Sequence, residues 1–225
     1  MQHSEAELLK LSQNNMKQDY TQIDPVIKDA VDILQRAAKN SGGLTGIPTG
    51  YTGLDDMTSG WQPSDLVIIA GRPAMGKTSF ALSIAKNVAV DYHIPIGFFS
   101  LEMNNVQLVN RLISNVCEIS GHKILNGQLD NTEWERLDRK LRDLTGAPIY
   151  VDDTPGLSVF ELRTKARRLV REKGVKLLMI DYLQLMNANG MKFGSRQEEV
   201  STISRSLKGL AKELNIPVLA LSQLS

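Results

Sequence analysis

Leu66-Val67-Ile68-Ile69-Ala70-Gly71-Arg72-Pro73-Ala74-Met75-Gly76-Lys77-Thr78 is the stretch that decides how this chain folds. From Gly71 to Thr78 it matches the phosphate-binding loop G-x-x-x-x-G-K-[ST] at every fixed position. The apolar run before the loop reads as a buried strand. In Ser79 to Val90, which follows, Phe80, Ile84 and Val88 recur on one helix face. Strand, loop and helix in that order are the setting the motif requires. Its glycines let backbone N–H groups close around phosphates, and the positive end of the helix adds to the attraction. Gly71, Arg72, Pro73, Ala74, Met75 and Gly76 are therefore expected to cradle a nucleotide's phosphates. Lys77 should reach the β- and γ-phosphates, and the Thr78 hydroxyl should ligate Mg²⁺.

Outward from this loop, strands and helices alternate. Apolar runs predict strands near 66–70, 96–100, 148–152, 176–182 and 217–222, and helical periodicity predicts helices near 77–90, 105–117, 132–144, 158–173 and 197–214. This is an α/β pattern with a mostly parallel central sheet, helices on both faces, and ligands at the carboxyl ends of the strands.

Three further strand ends carry polar groups to that ligand edge. Lys176-Leu177-Leu178-Met179-Ile180-Asp181 closes on a carboxylate, the Walker B pattern, in which Asp181 holds Mg²⁺ beside Thr78. Gly97-Phe98-Phe99-Ser100-Leu101-Glu102 closes on another. Glu102 is placed to activate an attacking water if its strand lies next to the loop strand; the competing reading makes it a capping residue of the next helix. Pro217-Val218-Leu219-Ala220-Leu221-Ser222-Gln223 presents Gln223, either a sensor of the γ-phosphate or an ordinary polar strand end. The polar, Gly-containing stretch from Asn187 to Gln197 follows the Walker B strand onto the same edge. Its Lys192 and Arg196 suit contacts to nucleic-acid phosphates, and a plain surface loop is the alternative. The helix from Glu161 carries Arg163, Lys165, Arg167, Arg168, Arg171 and Lys173, which reads either as a basic patch or as a solvated face.

Composition narrows the classes. The chain has 225 residues, 42% of them hydrophobic, enough to bury a core. A net charge of +1 gives no global pull toward nucleic acid or membrane, so any anion must be held by local clusters. The single cysteine, Cys117, sits in an apolar helical pattern and reads as core, in keeping with a reducing cytoplasm. His3, His93 and His122 lack metal-ligand spacing. No apolar stretch is long enough to cross a bilayer, and the N-terminus has no signal-peptide core.

Residues 1–44 form a separate N-terminal segment, with 45–225 as the main domain. A short helix is conceivable near Glu5–Leu11. Asp24 and Pro25 read as the cap and first residue of a second helix, about 25–39, whose Val26, Ile27, Ala30, Val31 and Leu34 make an apolar stripe, and Gly42-Gly43 should stop it. Ser41 to Gly53 reads as a flexible linker. The stripe needs a partner, either its own domain or a neighbouring subunit.

Taken together, these residues resemble the motor domain of the bacterial replicative helicase, the DnaB family, with its RecA-like fold. The resemblance runs from the linker helix to the C-terminus. It includes Thr45-Gly46-Ile47-Pro48-Thr49-Gly50, Thr58-Ser59-Gly60-Trp61, the loop through Thr78, Ser100-Leu101-Glu102-Met103, Asp181-Tyr182-Leu183-Gln184-Leu185, Ser204-Arg205-Ser206-Leu207-Lys208 and Leu221-Ser222-Gln223-Leu224. It implies a ring hexamer that encircles single-stranded DNA and moves 5′ to 3′ on ATP, with partners including primase and a helicase loader. It assigns Glu102 to the attacking water, Asp181 to Mg²⁺ and Gln223 to coupling hydrolysis with DNA. It gives the Arg196 loop to DNA contact and docks the Val26–Leu34 stripe on the adjacent subunit. Members of the family carry an N-terminal helical domain and, beyond the Leu-Ser-Gln-Leu strand, an arginine finger, so the resemblance implies a fragment that binds nucleotide with weak or absent turnover. A recombinase of the RecA type and a nucleotide-switched binding module are the other readings.

Overall fold

The computed structural model describes residues 22–39, 44–187 and 194–224. The chain divides into two units, Met1–Gly43 and Leu44–Ser225.

The first unit contains helix α1 (Ile23–Lys39). It starts at Ile23, two residues earlier than the Asp24-Pro25 signal predicts, so Pro25 lies inside the first turn. That position is tolerated because first-turn N–H groups have no helical acceptor, and Asp24 complements the positive end of the helix. The expected Glu5–Leu11 helix and the Gly42-Gly43 stop lie outside the described residues.

In the second unit the elements follow in order: α2 (Thr52–Thr58), β1 (Leu66–Gly71), α3 (Lys77–Lys86), β2 (Ile96–Ser100), α4 (Asn105–Cys117), α5 (Gly121–Asn126), α6 (Asn131–Leu144), β3 (Ile149–Asp152), α7 (Val159–Lys173), β4 (Leu177–Asp181), α8 (Arg196–Leu214) and β5 (Val218–Gln223). The central helices announce themselves through capping boxes. Asn104 with Gln107, Asp130 with Glu133 and Ser158 with Glu161 each satisfy two free backbone donors at a helix start. Helix α3 is shorter than the predicted 77–90 helix. It passes at Asn87–Asp91 into a π-helical turn, where the Asn87 amide donates to the Thr49 carbonyl at 3.1 Å.

Among the described residues, all strand pairs are parallel, in the order β1-β5-β4-β2-β3. Alternate residues of each strand feed opposite faces. Leu178, Ile180, Val218 and Ala220 join Leu162, Ala166, Ile203 and Leu207 of α7 and α8 in one core. Leu177, Met179, Leu219 and Leu221 join Leu82, Ile84, Leu108 and Leu112 of α3 and α4 in the other. Both faces are covered over β2, β4 and most of β5, which is why those strands read as continuous apolar runs. The strand β1, expected to be buried, is not: it lies at the edge of the sheet, none of its residues is fully buried and Ile68 is 43% exposed. This is the α/β fold with helices on both faces that the sequence predicts.

The predicted linker Ser41–Gly53 is not loose over its described part. Ile47 and Trp61 exchange backbone hydrogen bonds of 2.8 Å. The buried Asp55 carboxylate gathers the Thr49 N–H (2.8 Å), the Thr49 hydroxyl (2.8 Å) and the Gly50 N–H (3.1 Å). A buried carboxylate with that many donors fixes the segment to the domain. Glycine and threonine here serve a packed turn and not chain mobility.

Candidate nucleotide-binding site

Because every strand runs the same way, all five carboxyl ends meet at one edge of the sheet. There β1 ends at Gly71 and α3 begins at Lys77. Gly76, the residue before the helix, has φ 83°, and a Cβ added to it would meet nothing within 4 Å, so glycine is required for its left-handed backbone and not for space. Arg72, Pro73, Ala74 and Met75 are exposed around the bend. The Lys77 ammonium donates to the carbonyls of Gly71 at 2.8 Å and Arg72 at 2.9 Å, which seats it inside the loop. Phe80 departs from the predicted helix face. Ile84 and Val88 are fully buried, but Phe80 stays 37% exposed, its ring 5.1 Å from that of Tyr51.

Thr78, on the first turn of α3, is buried, and so is Asp181 at the end of β4. Burial pushes the Asp181 carboxyl above its usual range. The Thr78 hydroxyl opposes that shift, the negative Glu102 adds to it, and Arg111 and Lys77 oppose it. The Asp181 Oδ2 oxygen has no hydrogen-bond partner among the described residues. A buried carboxylate oxygen without a donor, next to a threonine hydroxyl, is the hard-oxygen environment that suits Mg²⁺. These residues fit the ion that the loop motif implies.

Glu102 reaches Asp181 by a route different from the expected one. Its strand β2 is not beside β1; β5 and β4 lie between them. Pairing of β2 with β4, Ser100 opposite Asp181, and the Leu101 N–H bond to the Asp181 carbonyl at 2.8 Å place Glu102 at the cluster. Glu102 is not the cap of the next helix. Asn104 caps α4, and Glu102 is exposed.

Gln223 sits opposite Gly71 in the β1–β5 register, directly beside the phosphate-binding loop, with its side chain exposed. The Leu224 N–H donates to the Gly71 carbonyl at 3.0 Å. Arg196 opens α8, and its guanidinium bonds Glu199 and the backbone carbonyl of Gln184. Lys192 lies outside the described residues.

The basic helix is partly compensated. Arg163 and Arg167 both pair with Glu213, Lys165 pairs with Asp152 at 2.6 Å, Arg168 and Arg171 flank Glu172, and Lys173 lies over the Tyr150 ring. Five of the six cations thus share three carboxylates on an exposed face. Cys117 is fully buried, as a core residue should be, and burial is the main influence that raises its thiol. Two residues of the site receive no role from the sequence reading. Arg111 looks like any exposed helix arginine, yet its charge acts on Asp181. Gln184 looks like one polar residue in an apolar run, yet it bonds the end of β5.

Comparison with known proteins follows from this geometry. Residues 46–225 match the family described as DnaB-like helicase C-terminal domain. The chain is 43% identical over 225 residues to the replicative DNA helicase DnaB of Geobacillus stearothermophilus, covering all of this chain and 50% of that protein. It is 44% identical over 224 residues to the replicative DNA helicase DnaC of Bacillus subtilis (strain 168), covering 99% of this chain and 49% of that protein. A solved structure of a DnaB-like replicative helicase, described together with its interactions with primase, superposes with a TM-score of 0.79 at 35% identity, over all of this chain and 54% of its own. A solved ATPase domain superposes with a TM-score of 0.82 at 37% identity, over 92% of this chain and 72% of its own. The fold is thus that of RecA-like ATPase domains. The chain spans about half the length of the curated relatives just described.

Proposed function

We propose, on the premise that this chain belongs to the family of DnaB-like helicase C-terminal domains, that it is the ATP-hydrolysing motor of a replicative DNA helicase. The observation that carries this reading is the buried, partnerless Asp181 oxygen beside Thr78, with Glu102 at hand and the Lys77 loop across from it. Phosphoryl transfer leaves little covalent work for a protein, so positioning and charge make up the catalysis.

The exposed loop Gly71–Gly76 presents backbone N–H groups to the phosphates. Lys77 exchanges the carbonyls of Gly71 and Arg72 for phosphate oxygens. Thr78 and Asp181 would hold Mg²⁺, which would offset the negative charge of the phosphates. Glu102 orients the attacking water and accepts its proton. Gln223, in register with Gly71, reads the nucleotide state and passes it to the segment leading to Arg196. Lys192 and Arg196 contact the phosphates of single-stranded DNA. The exposed stripe Val26, Ile27, Ala30, Val31 and Leu34 of α1 docks on an adjacent subunit of a hexameric ring. Movement is 5′ to 3′, and primase and a loader are the partners we infer.

The test is Glu102→Gln in the natural full-length protein. It should bind ATP as the unsubstituted protein does and lose hydrolysis by about 10²- to 10⁴-fold, the usual contribution of a positioned base. Hydrolysis within a fewfold of the original would remove Glu102 from this role.

A further inference from the structure

We propose that Gln184 is a positioning residue, an amide clamp that holds the backbone of Gln223 beside the phosphate-binding loop and ties it to the start of α8. This rests on the reading of Gln223 as the residue that couples nucleotide state to DNA.

Strand β5 outruns its neighbour. Its pairing with β4 ends at Ile180 opposite Ala220, whereas its pairing with β1 continues to Gly71 opposite Gln223. Among the described residues, Ser222 and Gln223 therefore have β1 on one side and no strand on the other. The Gln184 side chain, returning from the 3-10 turn Leu183–Leu185, fills that place. Its Nε2 donates to the Ser222 hydroxyl at 2.9 Å and to the Gln223 carbonyl at 2.9 Å, and its Oε1 accepts from the Gln223 N–H at 3.2 Å. A primary amide has one acceptor and two donors in a plane, so it substitutes for the missing peptide unit of β4 and continues the ladder. The direction of the amide is set by its partners, since a backbone carbonyl only accepts and an N–H only donates. Glutamate lacks the donors, asparagine is one methylene short, and leucine offers neither group.

The clamp leaves the Gln223 side chain exposed to meet a ligand while fixing the backbone it hangs from. The same residue faces the other way through its main chain, because the Gln184 carbonyl accepts from Arg196, the first residue of α8. One residue thus joins the end of β5 by its side chain to the base of the proposed DNA-contacting segment by its backbone. A shift of Gln223 toward or away from Gly71 must move Gln184 or break these bonds.

The experiment compares Gln184→Glu, which keeps size, and Gln184→Leu with the unsubstituted natural full-length protein. Thermal melts and nucleotide affinity serve as checks on folding. Hydrogen exchange without DNA reads the clamp: in Gln184→Leu, which removes the acceptor of the Gln223 N–H, protection of the Gln223 amide should fall on the order of tenfold, as expected for loss of one hydrogen bond, with nucleotide affinity within about twofold. Steady-state hydrolysis reads the coupling: kcat with single-stranded DNA should fall about tenfold at unchanged KM for ATP, the pattern of an interaction that acts after binding. In a Gln223→Ala background, Gln184→Leu should cause no further loss, since a residue acting through Gln223 has nothing left to position. Unchanged amide protection would overturn the clamp. Losses that multiply in the double variant would overturn its action through Gln223. An unsubstituted protein with no DNA-stimulated hydrolysis would overturn the functional reading beneath it, and the exchange result separates that failure from failure of the clamp.

Discussion

Asp181→Asn should make this protein more stable and a poorer binder of Mg²⁺-nucleotide. The Asp181 side chain is only 2% exposed, and its Oδ2 lacks a hydrogen-bond partner among the described residues. Burial, ahead of every other influence, raises its carboxyl above the ordinary range; Thr78 opposes, Glu102 reinforces, and Arg111 and Lys77 oppose. An acid with a raised folded-state pKa is ionised first in the unfolded chain. Its penalty therefore grows as pH rises from the unfolded value of about 3.9 through the raised folded one. A buried unsatisfied acceptor costs about 1–3 kcal/mol, and a charged one more. Asparagine keeps the volume and removes the charge, so the variant should be more stable by about 1–2 kcal/mol at pH 7.5 in chelator. For a domain of this size that is a Tm higher by about 2–8 °C. The gap should close as the pH is lowered toward 4. With Mg²⁺-nucleotide at a hundred times its Kd the order should invert, since the native protein gains about 2.7 kcal/mol by linkage and the variant gains less. Urea or thermal melts at several pH values, with and without Mg²⁺-nucleotide, measure all of this. A variant less stable than the native protein in chelator at pH 7.5, or a gap unchanged down to pH 4, would refute the argument.

Three other substitutions test the scaffold. Asp55→Ala strips the acceptor from Thr49 and Gly50 and should cost about 2–4 kcal/mol in a urea melt. Gly97→Val would place a Cβ 3.0 Å from Leu178 Cδ2 and 3.2 Å from Leu169 Cδ1, and the overpacking between β2 and α7 should cost about 1–3 kcal/mol, read from the same melts. Glu213 is pushed up by burial but held lower overall by its bonds and charge interactions with Arg163 and Arg167. Its stabilisation is present above the unfolded carboxyl pKa and is lost as pH falls through the lower folded one. Glu213→Gln should therefore cost about 0.5–1 kcal/mol at pH 7 and nothing at the acid end of a pH series of melts, a modest figure because the paired arginines are half exposed.

What could be read in the sequence follows from how local each cause is. Strands buried on both faces must be apolar throughout, so Gly97–Phe99, Leu177–Ile180 and Val218–Leu221 stood out; Val67–Ala70 is equally apolar, and its exposed face at the sheet edge does not show in the sequence. Helices α4, α6 and α7 were legible from their helical periodicity, which is local, and the capping boxes at Asn104, Asp130 and Ser158 set their starts in the structure. The phosphate-binding loop, Asp181 and Gln223 were legible because each closes such a strand. Strand order was not, since pairing of β2 with β4 and not β1 is a long-range choice. For the same reason, Glu102 was expected beside the wrong strand. The basic helix could be read as a patch or as a solvated face because Glu213, whose one carboxylate Arg163 and Arg167 share, lies on another helix. Helices α2 and α5, of 7 and 6 residues, are too short to show a period. The role of Gln184, quoted only as part of a motif, was not legible because its partners lie 38 and 39 residues away on β5.

The most direct test of the motor reading is ATP hydrolysis by the natural full-length protein with and without single-stranded DNA, with Lys77→Ala as the control. The account predicts turnover that rises on adding DNA and disappears, together with nucleotide binding, when the Lys77 ammonium is removed from the loop. Turnover indifferent to DNA, or hydrolysis that survives Lys77→Ala, would contradict it.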